Sequence, residues 1–396
     1  MKIVNPSAAR WRALLAGMLL ALGACGGGVE TGGTGAYVQG PVVGFGSVIV
    51  AGVRFDDSRA SIEDPDGSVR RREDLRLGMQ VEVESGPIGD DGSGGRVATA
   101  TRVRLASELL GPVGLIDDAN SRLFVLGQLV RLTSATVIDG VPGGALGLRI
   151  DDVVEVHGFF APVVGYVATR VERRAAAPAS YRVRGLVRDL DAGAPTPTLR
   201  IGLQVFDLSV VGVPPGLANE QFVRLSLQTS QVGSRWRATA IAVEARGAGD
   251  RDEAEVEGLV SAFTSAALFS VNGVRIDASG ATHVDGSAGL AEGVRVKVRG
   301  RSQAGLLIAA TVDIRSDDDA LLEGVDLRGA VGSVDAAAQT FTLLGNVVFY
   351  GGTQPAPRFE GGDASHLAAG RQVRVRGIVG PDRTRVVATR IEFVNN

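Results

Sequence analysis

Along most of the 396-residue chain, apolar and polar residues alternate with a period of two. "GVRVKVRG" (293–300) sets Val294, Val296 and Val298 against Arg295, Lys297 and Arg299, and "GRQVRVRG" and "GMQVEVES" repeat the arrangement. Such alternation predicts strands with one face in a core and the other in water. No segment sustains a 3.6-residue apolar period, so helices are expected to be few and short. Glycine-centred hairpins punctuate the strands: "VIVAGVRF", "FVLGQLVRL", "LRIGLQVF", "FSVNGVRI" and "FTLLGNVVF". Asn272-Gly273 is the clearest, because a type I′ turn needs positive φ at both central positions.

The pattern is one unit written five times. An apolar-x-Gly-x-Val motif recurs with its glycine at Gly40, Gly111, Gly185, Gly258 and Gly329, in steps of 71, 74, 73 and 71 residues. A second landmark closes each unit: "ATRV" at 100–103 and 168–171, "ATAI" at 238–241, "AATV" at 309–312 and "ATRI" at 388–391. Self-similarity at a fixed period means an array of like modules. Each unit reads as an opening strand, a two-stranded hairpin, a variable connection, the Val-alternating strand and the Ala-Thr strand. The expected fold is therefore all-β, a tandem array of about five small five-stranded OB-like barrels, closure removing sheet edges that would otherwise pair with neighbours. The modules fall at 38–106, 107–175, 181–246, 254–316 and 322–396.

The N-terminus follows a different logic. Lys2, Arg10 and Arg12 precede a ten-residue apolar stretch, Ala13 to Leu22. A bilayer core takes roughly 20 apolar residues, so residues 1–24 are expected to be a removable export signal. Leu22-Gly23-Ala24-Cys25 resembles the bacterial lipobox, which makes Cys25, the chain's only cysteine, the expected lipidation site. Acyl chains there would hold the protein on a bilayer at about 0.8 kcal/mol per buried CH₂. Residues 25–37, with "GGGVETGGTG" at 26–35, form a flexible leash. Gly26 rather than Asp follows the cysteine, which resembles outer-membrane sorting, so the expected location is a lipid-anchored place in the bacterial envelope.

"GPVVGFGSVIVAGVRFDDSRASI", "DLRLGMQVEVE", "VLGQLVRLTSATVIDG" and "VATRVE" resemble the repeating domain of bacterial lipoproteins assigned to domain-of-unknown-function family 5666. The resemblance runs from about residue 38 to the C-terminus and is strongest in units one, two and five. Unit three departs most, since "GLANEQFVRLSLQTS" lacks the glycine before its Val-alternating strand. The family implies secreted or surface-anchored β-barrel modules and carries no established activity, so no catalytic residue transfers.

Charge changes the picture little. Removing residues 1–24 takes away Lys2, Arg10 and Arg12 and no acid, so the net charge moves from −3 to −6. A dedicated nucleic-acid binder would show a basic surplus, and nucleic acid is not an expected partner. His157, His283 and His366 fall in three different units, two in variable loops and one on the outer side of a strand, and are expected to be solvated single histidines. "IEDPDGSVRRRED" places Asp64, Asp66, Gly67 and Glu73 at calcium-loop spacing, but Ile62 takes the first ligand position and Arg70 to Arg72 would repel a cation. No metal, cofactor or catalytic residue is expected. The outward side of the fourth strand carries Glu82 and Glu84 in unit one but Arg295, Lys297 and Arg299, then Arg371, Arg374 and Arg376, in the last two. OB-like barrels bind oligosaccharides or oligonucleotides across a strand face. The leading expectation is a non-enzymatic envelope scaffold or adhesion-type array, with an envelope protein as a candidate partner. The alternative is a module binding anionic polysaccharide through Arg295, Lys297, Arg299, Arg374 and Arg376, and an enzyme ranks third.

Overall fold

The computed structural model describes residues 35–244, 249–284, 286–315, 324–352 and 356–394. Cys25, the leash up to Thr34 and "SDDDA" at 316–320 lie outside them. The described chain is all-β, its only helical pieces being four 3-10 turns of three or four residues.

Five barrels close on themselves in the same way. In module 2 the opening strand Leu109–Asp117 pairs antiparallel with Arg122–Val125, which turns back into Gln128–Asp139. That third strand runs parallel to the fifth, Gly165–Arg173, which pairs with the fourth, Val153–Ala161, and the fourth returns to the first. The order 1-2-3-5-4-1, with strands three and five parallel, is OB-like. Module 1 closes identically, as do module 3, module 4 and module 5.

The landmarks have physical causes. The residue opening the fourth strand's approach, Gly78, Asp151, Glu220, Gly293 or Gly370, donates its amide to the carbonyl of the motif valine, Val42, Val113, Val187, Val260 or Val331, at 2.7–2.9 Å. The same five valines donate back to Met79, Asp152, Gln221, Val294 and Arg371 at 2.8–2.9 Å. The motif glycine lies under the hairpin: a Cβ at Gly111 would stand 2.6 Å from Leu126, and one at Gly329 would stand 3.2 Å from Leu344. The alanine of the second landmark sits where the fourth and fifth strands slip register, as Gly158↔Ala168 and Gly377↔Ala388. Such a bulge increases the twist that closes a small barrel.

All five approach residues have positive φ, and in modules 2 and 3 it falls on Asp151 (φ 69) and Glu220 (φ 70) instead of glycine. A residue with a Cβ pays roughly 1–2 kcal/mol there. Glu220→Gly is expected to stabilise by about 1 kcal/mol, reduced by glycine's freedom in the unfolded chain. The lost ion pair to Arg188 is solvent-exposed on both sides, and such pairs add little. A urea midpoint that stays put or falls would contradict this.

The barrels do not lie as separate beads. Ala36–Gln39 pairs parallel with Glu253–Val256 of module 4, and Gly44 and Phe45 of the same strand pair parallel with Asp326 and Leu327 of module 5. Leu109 and Leu110 pair with Val183 and Arg182 across modules 2 and 3, whose cores merge into one cluster. Phe159, Ala161 and Val167 of module 2 pack on Leu259 of module 4. The five closed barrels are thereby tied into two continuous sheets of 20 and 11 strands.

Candidate functional site

The fourth strands do turn Val296, Val298, Val373 and Val375 into their barrels, where all four are fully buried. Their outer faces, however, meet neighbouring modules. Arg295 and Lys297 are only 3% and 6% exposed, which corrects the expectation of a solvent-facing basic stripe. The Arg295 guanidinium pairs with Glu257 and lies 5.1 Å from the centre of the Phe159 ring of module 2. Lys297 Nζ donates to the Ala51 carbonyl of module 1 at 2.6 Å and stands 3.0 Å from Glu255. Arg299, half-exposed, is 3.3 Å from the same carboxylate, which also holds Arg96 of module 1 at 2.6 Å. These cations are seam fasteners, neutralised by acids on the neighbouring opening strand.

Arg374 and Arg376 go elsewhere. With Arg54 and Arg328, which the sequence pattern did not single out, they line a groove of about 880 Å³ between modules 1 and 5. Its module 1 wall is the hairpin around Gly52 and the loop Asp91–Gly95 between the fourth and fifth strands. Its other wall comes from the opening and fourth strands of module 5. Asp326 gathers three guanidiniums: Arg374 at 2.6 and 2.9 Å, Arg54 at 3.3 Å and Arg376 at 3.8 Å. Burial would raise this carboxyl, but the Arg374 hydrogen bond and the charges of Arg374, Arg54 and Arg376 overrule it and hold it below its usual range. Asp91 is likewise lowered, by the Ser93 hydroxyl and the Ser93 and Gly95 amides. Among the described residues no carboxylate lies within ion-pair distance of exposed Arg328.

A second polar cluster is sealed between modules 2 and 3. Arg184 reaches Glu108 at 2.9 and 3.0 Å and also pairs with Glu244, which Arg224 approaches to 3.5 Å. Burial pushes the Glu108 carboxyl up to about 7 against the pull of Arg184. Beside it Glu155 holds Arg182 at 2.9 Å and Arg174 at 2.5 Å.

His157 is a further correction: it is fully buried at the seam of modules 1 and 2, not solvated. Its Nδ1 accepts the Gln80 amide of module 1 at 3.3 Å. Burial pushes it down to about 4, with Arg170 adding to the effect and Glu155 opposing it. His283 is part-buried in the short strand Thr282–His283, and His366 pairs with Asp363 at 3.0 Å. In the acidic loop Asp64 is taken by Arg70 at 2.6 Å. Among the described residues no three His, Cys, Asp or Glu side chains are grouped to hold a metal ion.

The family model for a domain of unknown function (DUF5666) matches residues 111–172, 257–313 and 328–392. These are modules 2, 4 and 5, all within the span from about residue 38 to the C-terminus over which the sequence resembles the family; module 1, one of the three units where the likeness is strongest, is not matched. No curated protein matches. Among solved structures, drosophila Unr CSD456 is similar at 12% identity over 52% of this chain and 97% of that one, with a TM-score of 0.16, too low to argue from.

Proposed function

We propose that this chain of tandem DUF5666 repeats is a lipid-tethered, non-catalytic scaffold of the bacterial cell envelope. The supporting observation is where the leash meets the fold. The opening strand of module 1 starts at Ala36, directly after the glycine-rich segment, and this one strand pairs with modules 4 and 5 as well as its own barrel. A pull transmitted through the leash enters a strand shared by three barrels, so it is opposed by several ladders of hydrogen bonds at once. Parallel pairing loads those ladders along the strand, and the buried fasteners at Lys297 and Glu255 lie on the same seam.

In this reading Cys25 carries the acyl chains, the leash spaces the body from the headgroups, and the repeated barrel supplies bulk without a reacting group. Gly26 favours the outer membrane. Expressed in a diderm host, the wild-type protein should stay with membranes through a high-salt wash and take up labelled fatty acid. Cys25→Ser should move it to the soluble exported fraction. Retention of the variant on membranes, or its failure to reach the envelope, would overturn the proposal.

A further inference from the structure

We infer that the groove between modules 1 and 5 binds an extended anionic polysaccharide through the guanidiniums of Arg54, Arg328, Arg374 and Arg376. Among the described residues four cations face two carboxylates there, Asp91 and Asp326, once Arg96 and Glu257 are assigned to their seam partners Glu255 and Arg295. One carboxylate cannot saturate three forks. Arg374 takes both Asp326 oxygens, while Arg54 at 3.3 Å and Arg376 at 3.8 Å are held at the margin of contact. Their remaining N–H donors point a planar, bidentate chemistry into the groove, which matches carboxylate geometry. Arg328 adds a fourth fork with no acidic partner within ion-pair distance among the described residues.

Shape points the same way. The hairpin around Gly52 and the loop Asp91–Gly95 form one wall, and in OB-like barrels this strand face and its flanking loops are where extended polymers lie. The volume, about 880 Å³, falls in the range of pockets that enclose a ligand, roughly 300–1,000 Å³. Among the described residues no aromatic ring lines it, so they offer none of the stacking platforms by which single-stranded nucleic acid is held. The exported remainder of the chain carries a net charge of −6, so the groove is a local positive site on a body that otherwise repels anions, and the field concentrates the ligand there. A uronate polymer, with a carboxylate on every sugar, fits these terms.

The test uses the full chain carrying Cys25→Ser, so it is independent of the anchoring reading, with polygalacturonate as the probe. Binding is expected at low salt and should weaken steeply as salt rises. Arg328→Ser with Arg376→Ser should weaken it about tenfold or more, a loss of about 1.4 kcal/mol or more, while Arg374 keeps the Asp326 pair and the melting temperature stays unchanged. Arg235→Ser, an exposed cation of module 3, should leave affinity as it was. The inference falls if polygalacturonate does not bind at low salt, if Arg235→Ser weakens it equally, or if an oligothymidylate competes as well as the glycan does.

Discussion

Exchanging Arg184 for methionine is expected to destabilise the fold by about 3–5 kcal/mol, the usual consequence of removing one partner from a buried ion pair. Arg184 and Glu108 are 4% and 2% exposed, and the guanidinium is the group that faces Glu108 at 2.9 Å and Glu244 on its other edge. Without it Glu108 must stay charged in a dry seam or take up a proton. Its carboxyl is already raised by burial, to about 7, and losing the guanidinium raises it further. A folded-state pKa above the unfolded one means the unfolded chain releases its proton first. The cost of the single change should therefore grow as the pH rises above about 7, where the wild-type carboxyl ionises beside Arg184 and the variant's does not. The paired change Arg184→Met with Glu108→Leu should restore most of the loss, because apolar replacements of a buried pair are often neutral. Glu244 keeps Arg224 at 3.5 Å in both variants. Urea midpoints across pH measure all of this; a single-variant cost below about 1 kcal/mol, the size of an exposed pair, would refute it.

The strand order was legible because closure of a small barrel leaves marks in the sequence. The motif glycines are needed where hairpin side chains such as Leu126 cross above the opening strand, and the landmark alanines mark the register slip. Even the turns follow: Ala51-Gly52, Leu126-Gly127, Asn272-Gly273 and Leu344-Gly345 all have positive φ at both positions. What alternation could not convey is the destination of the outer face. A period of two says that Arg295, Lys297 and His157 point away from their own barrel, and water and a neighbouring barrel satisfy that statement equally. A readable signal existed for part of it. "AEVEG" sets Glu255 and Glu257 on the strand that pairs directly with Arg295 to Arg299, so complementary charges flank one seam. For the groove there was only half a signal: Asp326 stands opposite Arg376, and Arg328 opposite Arg374, within module 5, but Arg54 joins them from 272 residues away. The parallel pairing of Gly44 and Phe45 with Asp326 and Leu327 is what brings it there.

That same folding-back makes the seam of modules 1 and 2 acid-sensitive, and His157 sets the window. The imidazole is neutral in the fold because burial lowers it from 6.5 to about 4, the Gln80 amide fixing Nδ1 as an acceptor. Glu155 and Glu172 favour the charged ring and Arg170 and Arg182 oppose it, which leaves desolvation in control. For a base with a depressed folded pKa, the unfolded chain binds the extra proton between the two values. Stability is then full above about 6.5 and declines as the pH falls towards about 4. At about 1.4 kcal/mol per unit, the loss from this one residue amounts to about 3 kcal/mol. Glu108 contributes with the opposite sign, its raised carboxyl favouring the fold at lower pH, so the wild-type curve alone does not isolate the histidine. Comparison with His157→Asn does, because asparagine can still accept from Gln80 and cannot titrate. The stability difference between the two proteins should shift by about 3 kcal/mol in favour of the asparagine variant on going from neutral pH to pH 4. Parallel pH profiles would mean that the ring is solvated and that the seam of modules 1 and 2 is open in solution.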